Sequence, residues 1–414
     1  MKMTKKEIFD NVVTHTLTNG LKLVHVASQS PVAWCGIVAG AGSRDDAPGR
    51  QGLAHFVEHT IFKGTTHRKA WHILNRMEAV GGELNAYTTK EDTTLYAVFP
   101  DVHYGRAVQL IADLVGCSVF PEAELDRERG VVLEEIDSYR DSPSDAIYDD
   151  FEDMAFAGSG LGHNILGAEA DLNRITSADC SSYVKRLYVP ANMVFFSMGR
   201  MTPDKAFDVA ARHFGHFDHV LDRPCRPEPP SVAPQRRTVD VGSHQTHTVI
   251  GARLPGMHDD RRFALSLLNN IVGGPGMNSL LNVQLRERRG YVYTVESGIS
   301  SFTDSGLFEV YFGCDESHAS RSLRLVERTL LQLASEPMSA RRLDAAKKQY
   351  CGQLLVASDN PETSVVNAGK SLLYRGRVGT YAETVERITA VTPQQLMDAA
   401  ALIAPDRCSV LTFS

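Results

Sequence analysis

His55, Glu58 and His59 fall within five consecutive residues, in the run Gly52-Leu-Ala-His-Phe-Val-Glu-His-Thr-Ile-Phe-Lys-Gly64. On an α-helix, residues four apart lie one turn apart on the same face. The two imidazoles therefore converge on one point, at a spacing that a zinc ion accepts. Glu58, three residues after His55, shares that face and can take a proton from a water held there. Leu53, Ala54, Phe56, Val57, Ile61 and Phe62 make the segment apolar on nearly every side, as in a buried helix. Buried imidazole and carboxylate groups need partners in a low dielectric, and one dication satisfies all three. Gly64 is the expected helix stop.

A zinc ion that keeps one position open to water needs a third protein ligand. Pro121 suits a first helical turn, and Glu122 to Tyr139 follows it as a helix. At about 100° per residue, Leu125, Val132, Ile136 and Tyr139 share one face of that helix, and Glu134 falls opposite. Glu135 and Glu128 fall on the border of the apolar face, within about 20° of each other. On this wheel Glu135 serves equally well as a ligand or as a rim carboxylate, and Glu128 reads as a rim carboxylate.

These motifs resemble the pitrilysin/insulinase family of zinc peptidases, the inverzincins, whose signature is His-x-x-Glu-His. The likeness is to the two-domain form, similar to the β subunit of mitochondrial processing peptidase and to small bacterial homologues. It extends over nearly the whole chain, through Gly42-Ser43-Arg44-Asp45, Gly81-Gly82-Glu83-Leu84-Asn85-Ala86-Tyr87-Thr88, Tyr188-Val189-Pro190-Ala191-Asn192-Met193 and Leu285-Arg-Glu-Arg-Arg-Gly-Tyr-Val-Tyr293. The family's third ligand is a Glu about 76 residues beyond the second His, which implies Glu135 here. A second family Glu, seven residues earlier, matches Glu128 and implies a carboxylate that supports the site. The resemblance also implies that Asn85 and Ala86 hold the substrate backbone. An Arg followed seven residues later by a Tyr matches Arg286 and Tyr293, and implies a clamp on the substrate near its scissile carbonyl. Thr60 departs from the family pattern, which has an apolar residue there.

The chain has 414 residues and a formal net charge of −7, with 43% hydrophobic residues. That length exceeds what one core usually serves, so two domains are expected. No basic surface is implied, which argues against nucleic acid. No run reaches the ~18 apolar residues of a membrane span. Met1–Asp10 has basic residues with no apolar stretch after them, so no secretory signal is expected. The seven cysteines are scattered without a Cys-x-x-Cys, which fits reduced thiols in a cytoplasmic protein.

Five prolines between Pro224 and Pro234 mark an extended linker. The expected division is a zinc-binding domain over 1–220, a linker over 221–237 and a metal-free domain over 238–414. The halves read as distant repeats. Leu125-Asp126 matches Leu343-Asp344, Glu135 matches Gln353, and Asn85 matches Tyr293. Phe263–Asn270 replaces the paired histidines with residues that bind no zinc. Thr16 to Val26 reads as a hairpin around Asn19-Gly20, and Thr93 to Phe99 as a strand. The fold class is α+β, two mainly antiparallel sheets with helices packed on one face, as in the mitochondrial processing peptidase-like metallohydrolase fold. The strand at Asn85–Thr88 could lie at an edge and pair with an extended peptide, or sit inside the sheet.

The remaining histidines carry less. His213, His216 and His219 near Cys225 have ligand-like spacing beside the linker; His244 and His247 are weaker; His163 reads as a loop residue; His67, His72 and His103 read as surface or capping residues. The resulting expectation is a zinc endopeptidase with one Zn2+ per chain, acting on peptides or unstructured segments, with Glu58 activating water. By the resemblance, four such domains enclose a peptide. A homodimer would supply them, a heterodimer with a related subunit is the alternative, and some relatives are non-catalytic.

Overall fold

The computed structural model describes residues 11–217 and 226–414. Met1–Asp10, Pro224 and the linker positions 221–225, and His219 and Cys225 of the histidine-rich stretch, lie outside the described residues.

The strands are β1 (Val12–Thr16), β2 (Lys22–Ala27), β3 (Val32–Ala39), β4 (Glu83–Thr88), β5 (Thr93–Pro100), β6 (Met193–Gly199), β7 (Arg236–Val239), β8 (Thr246–Pro255), β9 (Val292–Ser301), β10 (Ser305–Cys314) and β11 (Ser409–Phe413). The helices that bear on function are α1 (Leu53–Thr60), α2 (Tyr104–Cys117), α3 (Glu122–Arg140), α4 (Pro143–Ala155), α5 (Arg262–Gly273), α6 (Ala340–Ala357) and α7 (Pro361–Arg375).

The chain forms two compact units that interleave in sequence. Among the described residues, the first comprises 11–136, 163–217, 226 and 357–381; the second comprises 137–162, 227–356 and 382–414. Two contiguous halves were expected, and the difference has a physical cause. Each sheet has a second apolar face, and a helix from far along the chain buries it.

In the first unit the strand order is β1-β2-β6-β3-β5-β4, with β2–β6 parallel and the rest antiparallel. The Asn19-Gly20 hairpin forms as expected, with Thr16 opposite Lys22 and Gly20 at φ 89°. Successive side chains of a strand point to opposite faces. Ala33, Cys35, Ile37 and Ala39 of β3 therefore enter one core with α1, α2 and α3, while Trp34 and Val38 enter another. That second core is closed by Val365, Val366, Ala368 and Leu372 of α7. Burial on both faces explains why β3 reads as a continuous apolar run.

The second unit repeats this order as β7-β11-β8-β10-β9, again with one parallel pair, β7–β11. Its second face is covered by Ile147, Phe151 and Met154 of α4. The internal repeat expected from the sequence thus appears as a shared strand order, and the fold class is α+β with two sheets. The helix expected over Glu122–Tyr139 is α3, with Leu125, Val132 and Ile136 buried. Tyr139 departs from its expected place: it is 43% exposed, because the last turn of α3 extends beyond the core of the first unit.

Six cysteines are free thiols among the described residues. No helix among the described residues is long and apolar enough to cross a membrane.

Candidate metal centre

α1 begins at Gly52, whose φ of 89° favours glycine, and a Cβ there would meet the Leu166 carbonyl oxygen at 2.4 Å. A glycine cannot cap the helix with a side chain, so Asp46 does so from six residues earlier. Its carboxylate accepts from the Gly52 amide at 2.8 Å and from the Ala54 amide at 2.9 Å, satisfying N–H groups that a helix start leaves unpaired. Burial pushes the Asp46 pKa up, opposed by His163, whose Nε2 lies 3.7 Å away. His163 is a loop residue, as its sequence context suggested. At the other end, α1 runs into a 3-10 turn over Ile61–Lys63 that stops at Gly64. Thr60, the departure from the apolar pattern, is fully buried, and its hydroxyl donates to the Phe56 carbonyl at 2.6 Å.

The structure brings His55, His59 and Glu135 together. The imidazole centroids are 4.6 Å apart. Nε2 of His55 and Nε2 of His59 lie 3.8 and 3.6 Å from one oxygen, Oε2 of Glu135. These contacts are too long for good hydrogen bonds. A tetrahedral zinc ion with bonds of about 2.0–2.1 Å would hold its ligand atoms roughly 3.4 Å apart. The donor set and its spacing therefore fit such an ion. Nδ1 of His55 is buried without a hydrogen-bond partner. Burial, and then the neighbouring His59, pushes the His55 pKa down to about 3, so this imidazole is neutral.

Glu128 stands one layer behind. Its Oε2 is 3.3 Å from His59 Nδ1, and its Oε1 is 2.5 Å from Lys63 Nζ. In the tautomer that donates from Nδ1, His59 keeps Nε2 free to face Glu135. Glu134 is exposed and faces away from this cluster, whereas Glu135 is half-buried.

Glu58 is largely buried, which pushes its pKa up; hydrogen bonding by Thr88 and the nearby His59 pull it down, and Glu135 pushes it up again. Thr88 belongs to β4, which runs alongside α1. β4 is the edge strand of its sheet and pairs with β5 alone, which decides between the two placements left open by periodicity. Asn85 is exposed on it, and Ala86 is half-buried against the core.

Arg286 and Tyr293 lie in the second unit. Arg286 is exposed on a π-helical turn over Asn282–Glu287. Tyr293 is 55% exposed on β9, the edge strand that corresponds to β4, and its hydroxyl donates to Asp315 at 2.9 Å. That contact raises its pKa. In the second unit, α5 and α6 take the places of α1 and α3, with Asn269, Asn270 and Gln353 where the first unit has metal-binding types. His247 of the weaker histidine pair is buried and hydrogen-bonds the Tyr311 hydroxyl at 2.8 Å, so it faces a core partner. Sequence inspection missed Asp46, Lys63 and Thr88. Each acts through a contact with α1 or its neighbours that has no periodic signature.

Residues 23–169 match the family described as insulinase, peptidase family M16, and residues 174–350 match the peptidase M16 inactive domain. An uncharacterized zinc protease of Streptomyces coelicolor is 33% identical over 393 residues, covering 92% of this chain and 84% of that protein. An uncharacterized zinc protease of Bacillus subtilis is 30% identical, covering 92% of this chain and 93% of that protein. The human mitochondrial-processing peptidase subunit beta is 27% identical, covering 92% and 80%. Among solved structures, a protease from Helicobacter pylori superposes with a TM-score of 0.88 at 21% identity, covering 97% of this chain and 99% of that one. A Pseudomonas fluorescens protein described as a peptidase M16 inactive domain gives a TM-score of 0.91 at 20% identity, covering 97% of each. The two solved structures share the fold of this chain, and the curated relatives are named zinc proteases. The chain belongs to the insulinase family, peptidase family M16.

Proposed function

We propose that this protein is a zinc-dependent endopeptidase that cleaves peptides or unstructured polypeptide segments. The observation that carries the proposal is the convergence of the His55, His59 and Glu135 ligand atoms, within 4.8 Å of one another, beside Glu58 and a free strand edge. Kinship with proteins named zinc proteases supports it.

His55, His59 and Glu135 hold one ion per chain, and Glu128 keeps the His59 ring turned toward it. Bound there, zinc supplies Lewis acidity, polarising a carbonyl and easing the loss of a proton from water. Glu58 takes that proton and later delivers it to the leaving amine. An extended substrate adds to the outer edge of β4, where backbone groups around Asn85 and Ala86 hold it in register. Arg286 and Tyr293 clamp it near the scissile carbonyl. The direct test is a diverse peptide library digested by the purified, zinc-loaded protein, with cut sites read by mass spectrometry. Cleavage that stops on chelation and returns with zinc is expected. An intact library under zinc-loaded conditions would overturn the peptidase reading in favour of a non-catalytic family member.

We further propose that the active form is a homodimer, in which Arg286 and Tyr293 of one subunit complete the zinc site of the other. Mixing Glu58→Gln with Arg286→Ala tests this. In a mixed dimer one site carries both defects and the other carries neither. With free exchange half of the dimers are mixed, so activity recovers to roughly a quarter of wild type. If Arg286 serves its own chain, every site keeps one defect and mixing restores nothing. A requirement for a second, related polypeptide would instead leave the wild-type protein inactive alone.

A further inference from the structure

A second group of metal-ligating side chains lies in the first unit, apart from the site above. The segment that leaves the metal helix, Gly64–Lys69, is tied to the end of α2. Thr65 pairs with Ser118 as an isolated bridge, the Thr66 amide donates to the Cys117 carbonyl at 2.9 Å, and the Val119 amide donates to the Gly64 carbonyl at 3.1 Å. These bonds place His67 over the last turn of α2. Asp113 and Cys117, four residues apart on that helix, present their side chains on one face. Nδ1 of His67 lies 2.6 Å from Oδ1 of Asp113. The imidazole nitrogen, the carboxylate oxygen and the Cys117 sulfur all lie within 4.8 Å of one another.

The carboxylate is oriented as ligating carboxylates usually are. Its other oxygen, Oδ2, accepts from Thr65 Oγ1 at 2.8 Å and from Arg68 at 2.5 Å, which leaves Oδ1 turned toward His67. Asp113 is 93% buried by residue, with only 7% of its surface exposed, whereas the His67 side chain is 63% exposed and has room to swing. Cys117 is half-buried as a free thiol.

We propose that His67, Asp113 and Cys117 form a second cation site, open on one side to solvent, that takes a borderline divalent ion such as Zn2+. Imidazole, carboxylate and thiolate together suit zinc or cobalt, whereas magnesium and calcium prefer oxygen alone. The ion takes the His67 Nδ1 lone pair in place of its hydrogen bond to Asp113, with the neutral imidazole carrying its proton on Nε2, and it replaces the Cys117 proton, which leaves to solvent. The His67 side chain is 63% exposed and must be ordered for the ion to bind, so this site fills after the first and exchanges its ion. Occupancy would pin the segment after the metal helix onto α2. Nothing in this proposal depends on the peptidase reading.

Cobalt provides the test, because the His55, His59 and Glu135 set contains no sulfur. The full chain, stripped of metal and kept reduced, is titrated with Co2+, and the near-ultraviolet sulfur-to-cobalt charge-transfer band is followed. Binding of about two cobalt ions per chain is expected, with the band growing on the second equivalent. Cys117→Ser should abolish the band and leave one ion bound. His67→Ala, at an exposed side chain, should weaken the second event by more than the roughly tenfold cost of losing a ligand's hydrogen-bond partner. Glu135→Gln should keep the band while losing the first ion. A wild-type chain with no thiolate band, or a band that survives Cys117→Ser unchanged, overturns the site and leaves His67 and Asp113 as an ordinary hydrogen-bonded pair.

Discussion

Replacing Glu58 with Gln should lower peptide cleavage by roughly 10²–10⁴-fold while leaving zinc bound. The amide fills the same space beside His59 but cannot accept a proton at neutral pH. Glu58 is not one of the three atoms that converge on the metal position, so its loss leaves the ligand set intact. Metal content and turnover must be measured on the same sample. A metal-loaded Glu58→Gln protein with near wild-type turnover would remove Glu58 from the chemistry. A metal-free one would show that its carboxylate helps to hold the ion.

The second large effect separates two neighbouring carboxylates. Glu135→Gln should lose zinc and, with it, activity, because Oε2 of Glu135 is the atom that both histidine Nε2 atoms face, at 3.8 and 3.6 Å. Glu134→Gln should be close to silent, since its side chain points to solvent. Surface substitutions of that kind usually change stability by no more than about 0.5 kcal/mol. Metal analysis after exhaustive dialysis decides the matter. A metal-free Glu134→Gln, or a fully loaded Glu135→Gln, would contradict the assignment of the third ligand.

Both predictions begin from features legible along the chain. The His55, Glu58, His59 spacing needs only the period of a helix, and the Asn19-Gly20 hairpin needs only local turn chemistry. Glu135 is an intermediate case. The helical wheel places it on a border, family spacing names it, and the structure brings its oxygen opposite two imidazole nitrogens.

By itself, then, the amino-acid sequence determined whatever depends on neighbours a few residues apart: the turn of helix that presents two imidazoles and a carboxylate, the hairpin, the helix that carries Glu135, and the repeat that puts amides where the first half has histidines. Tertiary structure alone decided the rest. It set β4 at the edge of its sheet, sent α4 and α7 to cover the second faces of sheets far from them in sequence, capped α1 with Asp46, laid Thr88 against Glu58, and gathered His67, Asp113 and Cys117. The reason is physical. Periodicity records which face of an element is apolar, but not which distant surface will bury it. A buried polar group finds its partner wherever packing supplies one, with no fixed separation along the chain.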